Sequence, residues 1–225
     1  MPRLIFWDVD TQYDFMMSDG KLYVPGSEEI LDTLGRLTDY AHEHHIPIVA
    51  SADDHETGHP ELSEAPDWRE TFPPHCMRGS GGEVKVAQTA LRDPLVIEPD
   101  PAAEAALAGR VRAHRGDFLV HKHRFDVFSN PNTVTLLRAL DPEAVVLYGV
   151  ALDVCNRFAI EGLLQQWPQA EIYLVTDAVR AIRPEEGERP VADWANRGVR
   201  MVESSAIVDD RLLDSYLGQR TIGIV

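Results

Sequence analysis

The chain has 225 residues, enough for one α/β domain with a large buried core and too few to require two. Its 37 acidic residues outnumber 21 basic ones, a formal net charge of -16, so the average surface repels nucleic-acid backbones and anionic membranes, and neither is an expected partner. Cys76 and Cys155 are its two cysteines, far apart and outside any paired metal or redox spacing, which argues for free thiols in a reducing, cytoplasmic setting.

Taken in chain order, the first apolar run, Leu4 to Val9, reads as a strand, too short for a secretion signal. No run reaches the roughly 18 apolar residues of a spanning helix. Ser27 is placed to cap a helix that carries Ile30, Leu31, Leu34, Leu37 and Ala41 on one face, with Glu28 and Glu29 in its first turn and His42, His44 and His45 as its polar end. Ile46 to Ala50 is the second strand. The stretch from Asp53 to Glu83 is rich in Pro, His, Asp and Gly, lacks periodicity and is too long for an ordinary connection, so it reads as a functional loop.

Further on, Pro94 to Ile97 and Phe118 to His121 read as strands, and Pro101 opens a helix through Ala108 between them. Ala144 to Val150 is a strand, Val154 to Leu164 a helix, and Ile172 to Thr176 and Val199 to Val202 are strands. Pro184 to Pro190 reads as a solvated loop before a helix holding Val191 and Trp194. Most strands lack polar alternation, as strands buried on both faces do. The pattern predicts a single α/β domain over residues 1–225, a doubly wound, mostly parallel sheet with helices on both faces. Functional residues then collect past the carboxyl ends of the strands.

Three chemically capable residues fall at such positions. Asp10 follows the first strand, Lys122 the fourth, and Cys155 lies just past the fifth, where a helix begins. A thiol at a helix start gains thiolate character from unpaired amides, and a nearby lysine adds to it. Taken singly, each has a plainer role: a buried small hydrophobe, a turn residue, a surface charge. The long loop supplies a second group. Asp53, His55 and His59 offer a carboxylate and two imidazoles, with His75 as a fourth ligand, a set suited to one divalent ion such as Zn, Fe or Mn. Glu61 and Asp54 are competing oxygen ligands, and ordinary scattering of nine histidines is the plainer reading.

The motif Asp10-Thr11-Gln12-Tyr13-Asp14-Phe15 resembles the D-x-Q-x-D-F stretch of nicotinamidases and isochorismatase-like cysteine hydrolases. Asp53-x-His55-x3-His59 is similar to their metal site, and Phe72-Pro73-Pro74-His75-Cys76 with Gly79 to their W-P-x-H-C-x-x-G segment. Lys122 with Phe128, and Gly149 through Cys155, resemble their lysine and nucleophile segments. The resemblance covers residues 4 to about 203 and implies an isochorismatase-like, Rossmann-like three-layer fold.

It also implies roles. Asp10 is the general base, Lys122 stabilises the thiolate and Cys155 is the nucleophile, with the amides of Ala151 and Cys155 as oxyanion hole and a cis peptide at Val150-Ala151. Asp53, His55, His59 and His75 hold the metal that accepts a pyridine nitrogen, and Phe15 and Phe72 sandwich the ring. The implied reaction is hydrolysis of nicotinamide to nicotinate and ammonia, in pyridine nucleotide salvage. The alternatives are a relative acting on another small amide or carbamoyl compound, and a non-catalytic small-molecule-binding module; a homo-oligomer stays open. Phe72 stands where nicotinamidases usually carry tryptophan, and a shifted alignment makes Asp8 the base in place of Asp10.

Overall fold

Seven apolar runs form strands in the computed structural model, which describes residues 3–217. Residues 1–2 and 218–225 of the expected domain lie outside the described residues. In chain order the elements are β1 (Leu4–Val9), α1 (Tyr13–Met16), α2 (Leu31–Glu43), β2 (Ile48–Asp53), β3 (Leu95–Ile97), α3 (Glu104–Ala113), β4 (Phe118–Lys122) and α4 (Thr133–Leu140). There follow β5 (Ala144–Val150), α5 (Cys155–Gln166), β6 (Glu171–Arg180), α6 (Pro184–Glu188), α7 (Val191–Asn196), β7 (Arg200–Val202) and α8 (Ser204–Val208).

The strands form one sheet in the order β3-β4-β2-β1-β5-β6-β7, and every neighbouring pair is parallel. Side chains alternate across a strand, so β1 feeds two cores. Ile5, Trp7 and Val9 pack with Leu107 of α3, Leu136 of α4, Ile160 of α5 and Trp194 of α7. Leu4 and Phe6 face the other way, onto Leu34 and Leu37 of α2 and Ile207 of α8. Helices therefore cover both faces, and the apolar runs without alternation are explained.

From β1 the chain steps outward to β2 and then to the edge strand β3, returns between these two as β4, and crosses to the other side of β1 as β5. A crevice forms beyond the carboxyl ends where the winding reverses. Backbone at this reversal is closely packed: Gly149 has φ +113°, and a Cβ there would lie 2.1 Å from the carbonyl oxygen of Val9.

Several local expectations are corrected. Ser27 does not cap α2; its buried hydroxyl donates to the carbonyls of Phe15 (3.1 Å) and Met16 (2.9 Å), and a turn of 3-10 helix over Ser27–Ile30 precedes Leu31. The helix after Pro101 starts at Glu104 and runs on to Ala113, while Pro184 opens the short helix α6 inside the expected loop. His42 is not a solvated helix end: it is buried, with Nε2 2.9 Å from the carboxylate of Asp117. Helix α4 was not read from the sequence.

Candidate active site

Asp10, Lys122 and Cys155 meet. Asp10 leaves β1 with φ +48°, a left-handed conformation that Asp tolerates and that recurs at functional sites. Lys122 closes β4, Cys155 opens α5, and all three are buried. The Lys122 ammonium lies 2.9 Å from Asp10 Oδ2 and 3.7 Å from Cys155 Sγ, and it also contacts Asp53 Oδ1. Ser51, next to Asp10 across the β1–β2 pairing, donates its hydroxyl to Asp10 Oδ1 at 2.6 Å.

Asp8 has a different partner. Its carboxylate is 2.8 Å from the Lys85 ammonium and accepts from the Thr11 hydroxyl at 3.2 Å. Asp8 is thus held in a buried ion pair away from Lys122.

Burial raises the Cys155 thiol well above its ordinary range, and Lys122 opposes this in part. Burial also raises Asp10, against the pull of Lys122. For Lys122 burial works against the charge, yet the Asp10 and Asp53 carboxylates hold it well above the ordinary lysine range. A buried cation thus stands between a carboxylate and a thiol.

The Val150-Ala151 peptide is cis, and no hydrogen bond among the described residues uses the amides of Ala151 or Cys155. Both residues line a cavity of about 20 Å³ with Phe15, Phe72, Phe125, Asp53, Glu61 and His75. Room of that size holds about one water.

The long loop returns ligands to the end of β2. Asp53, His55, Glu61 and His75 are all buried and offer atoms within 4.8 Å of one another. Asp53 Oδ2, His55 Nε2 and Glu61 Oε2 have no hydrogen-bond partner among the described residues, a costly state that a bound cation relieves. Burial lowers His55 to about 4, leaving the imidazole neutral, and raises Glu61 to about 8, with Asp53 adding to the rise. The donor set fits a divalent transition metal.

His59 stands outside this group of four. It is half-buried, with Nδ1 3.3 Å from Nδ1 of His55 and its ring 4.1 Å from that of His123. Glu61, named from the sequence only as a competitor, occupies the inner position. Asp54 is turned away and paired with Arg78.

Two further groups support the site: Phe125, which was not singled out from the sequence, and Gln12, which the D-x-Q-x-D-F resemblance contains without assigning it a role. Phe125 lines the cavity and meets Phe72 edge-on at 5.9 Å, and only its neighbourhood to Lys122 hints at it. Gln12 clamps the end of β2, its amide nitrogen donating to Asp53 O (2.7 Å) while its side-chain oxygen accepts from Asp53 N (2.7 Å).

The Isochorismatase domain model matches residues 4–205, and the chain belongs to that family. No curated protein matches the chain. Among solved structures, the pyrazinamidase of Pyrococcus horikoshii in complex with zinc is similar, with TM-score 0.71 and 24% identity over 90% of this chain and 99% of that one. The nicotinamidase/pyrazinamidase of Bacillus subtilis gives TM-score 0.67 and 20% identity over 89% of this chain and 100% of that one. The N-carbamoylsarcosine amidase of Thermoplasma acidophilum gives 0.65 and 23% over 90% and 96%. At these identities the likeness shows a shared fold.

Proposed function

We propose that the protein is a cysteine amidohydrolase that converts nicotinamide to nicotinate and ammonia through a thioester on Cys155. The observation that carries this reading is the Lys122 ammonium within 2.9 Å of Asp10 and 3.7 Å of the Cys155 sulfur. Asp10 takes the thiol proton as the sulfur attacks the carboxamide carbon, and the amides of Ala151 and Cys155 stabilise the oxyanion. The C–N bond breaks, Asp10 delivers the proton to the leaving ammonia, and a water deprotonated by Asp10 then hydrolyses the thioester.

Asp53, His55 and His75, with Glu61 or His59 completing the set, would hold one zinc, iron or manganese ion. When bound, such an ion supplies a Lewis-acid contact for a ring nitrogen. Phe15 and Phe72 provide apolar walls for the flat ring. The cavity is smaller than a ring-bearing amide, so Phe72 and the loop that carries it must yield as substrate enters.

Ammonia release from nicotinamide, pyrazinamide and benzamide tests the reading. Benzamide lacks the ring nitrogen, so its kcat/KM is expected to fall by about 100-fold through lost positioning. Equal rates for benzamide and nicotinamide overturn the metal-positioned ring, and no ammonia from any amide leaves a binding module. A second reading, another small amide or carbamoyl compound hydrolysed by the same residues, is favoured by Arg124 and Arg157, which line a larger cavity that shares Phe72, Phe125 and Val154 with this one.

A further inference from the structure

Outside the catalytic cavity lies a larger one, about 900 Å³, and the two share Phe72, Phe125 and Val154 as walls. Five arginines line it: Arg69, Arg124, Arg157, Arg183 and Arg189. Three acidic residues do so, Glu70, Asp153 and Glu186, in a chain whose acids outnumber its bases 37 to 21. The local balance is inverted in the cavity that shares walls with the one Cys155 lines.

The acids do not cancel this charge. Asp153 spends both carboxylate oxygens on the amides of Ile182 and Arg183, each at 2.9 Å. Glu186 pairs with Arg183 at 3.5 Å, and Arg183 also donates to the carbonyl of Trp68 at 2.5 Å. Arg69, Arg124, Arg157 and Arg189 are exposed and have no carboxylate within salt-bridge distance among the described residues. The Arg157 guanidinium instead lies over the Phe158 ring, 5.3 Å from its centroid. Trp68, 45% exposed, lines the same cavity and adds a flat apolar surface.

A cleft lined by one sign of charge focuses its field and concentrates the opposite ion. Guanidinium forks match planar carboxylates in particular. We propose that this antechamber is a subsite for an anionic group carried by the substrate beyond the scissile amide, so that the preferred substrates are small amides or carbamoyl compounds bearing a carboxylate. The inference rests on the amidohydrolase reading above and adds to it the class of substituent. With the carbonyl at Cys155, a molecule extending past the shared wall Phe125 delivers its far end to Arg124, next to Phe125 in the chain, and to Arg157, in the first turn of α5.

The test compares matched amides in wild-type protein and in the Arg124→Ala/Arg157→Ala double variant, at low and high salt. One pair is nicotinamide and its ring-carboxylated derivative; a second is a neutral alkylurea and the corresponding carbamoyl amino acid. A ring-phosphonated derivative separates phosphate from carboxylate. The expected result is a kcat/KM ratio of carboxylated to neutral amide of about ten at low salt, shrinking as salt screens exposed charges and lowered about tenfold in the variant, the worth of two such contacts. Binding of the same molecules to Cys155→Ala protein by calorimetry reads the subsite without turnover, so a failure to release ammonia from any amide counts against the reaction and not against the subsite. A ratio near one in both kcat/KM and affinity, or a ratio that the double variant leaves intact, overturns the proposal. Stronger preference for the phosphonate overturns the carboxylate assignment.

Discussion

The ammonium of Lys122 stands 3.7 Å from the sulfur of Cys155, and the same nitrogen contacts two carboxylates, those of Asp10 and Asp53. One buried cation therefore balances the base and a proposed metal ligand at once. Its removal is felt in folding as well as in turnover.

Lys122→Met is expected to lower kcat by orders of magnitude and to destabilise the protein by about 3 to 5 kcal/mol, because two carboxylates are left buried without a cation. Asp10→Asn keeps the shape and loses the base, so its rate falls as far while its melting temperature changes little. The two losses are not additive in the double variant, since the groups act as one unit. Single-turnover ammonia release and thermal melts check this; a normal rate for Asp10→Asn moves the base elsewhere.

The two cysteines separate cleanly. Cys155 lines the cavity, whereas Cys76 is fully buried with its amide donating to Asp14 at 2.7 Å. Cys155→Ala is expected to be folded and inactive, and Cys76→Ala active with a stability cost of about 1 kcal/mol. Burial raises both thiols, so alkylation of Cys155 should still be accelerating above pH 9, the ordinary thiol value, and Cys76 should resist until unfolding. Fast alkylation of Cys155 at neutral pH contradicts the upward shift.

Glu61 gives a pH signature. Its folded value of about 8 lies above the ordinary 4.5, so metal-free folded protein holds a proton that the unfolded chain releases, and stability falls as pH rises toward 8. His55, lowered to about 4 from 6.5, acts oppositely, adding stability as pH rises to 6.5. Between pH 6.5 and 8 only the Glu61 loss remains of these two, at most about 2 kcal/mol. Melts of metal-stripped protein should drop across this window, and zinc should restore more at its upper end while releasing a proton. Glu61→Gln should flatten the drop.

Gly149→Ala is expected to prevent folding or cost more than about 4 kcal/mol. Its φ of +113° disfavours any side chain, and the new Cβ would strike the Val9 carbonyl at 2.1 Å. Circular dichroism of the soluble fraction reads the outcome; a stable variant would mean that β1 and β5 separate more easily than their packing implies.

Much of this architecture is legible from local sequence. The runs Leu4–Val9 and Ala144–Val150 match their strands end to end because strands buried on both faces need no polar alternation, and Arg3, Asp10 and Glu143 bound three of the four ends. β2 and β6 run on past their expected ends: Ser51 to Asp53 continue the pairing of β2, and beyond a register shift Val179 and Arg180 of β6 pair with Gly149 and Val150. Ser27 misleads as a cap because its hydroxyl answers carbonyls 11 and 12 residues upstream, a tertiary contact with no local trace. The inner place of Glu61 over His59 is likewise set by how the loop folds back, Phe72 N donating to Glu61 O at 2.8 Å. Spacing lets four residues be near; it does not rank a fifth.

The seam between β1 and β5 has a consequence for the life of the chain on the ribosome. Strands β1 to β4 lie on one side of it and β5 to β7 on the other, with Asp10 and Lys122 in the earlier half and Cys155 in the later. A nascent polypeptide that has emerged only through β4 holds the base and the cation with no sulfur to serve. Hydrolytic competence is expected only once the late half docks. A backbone nick in the Asp141–Glu143 connection should therefore yield two inert pieces whose mixing restores turnover, and the rate of that return would time the closing of the sheet.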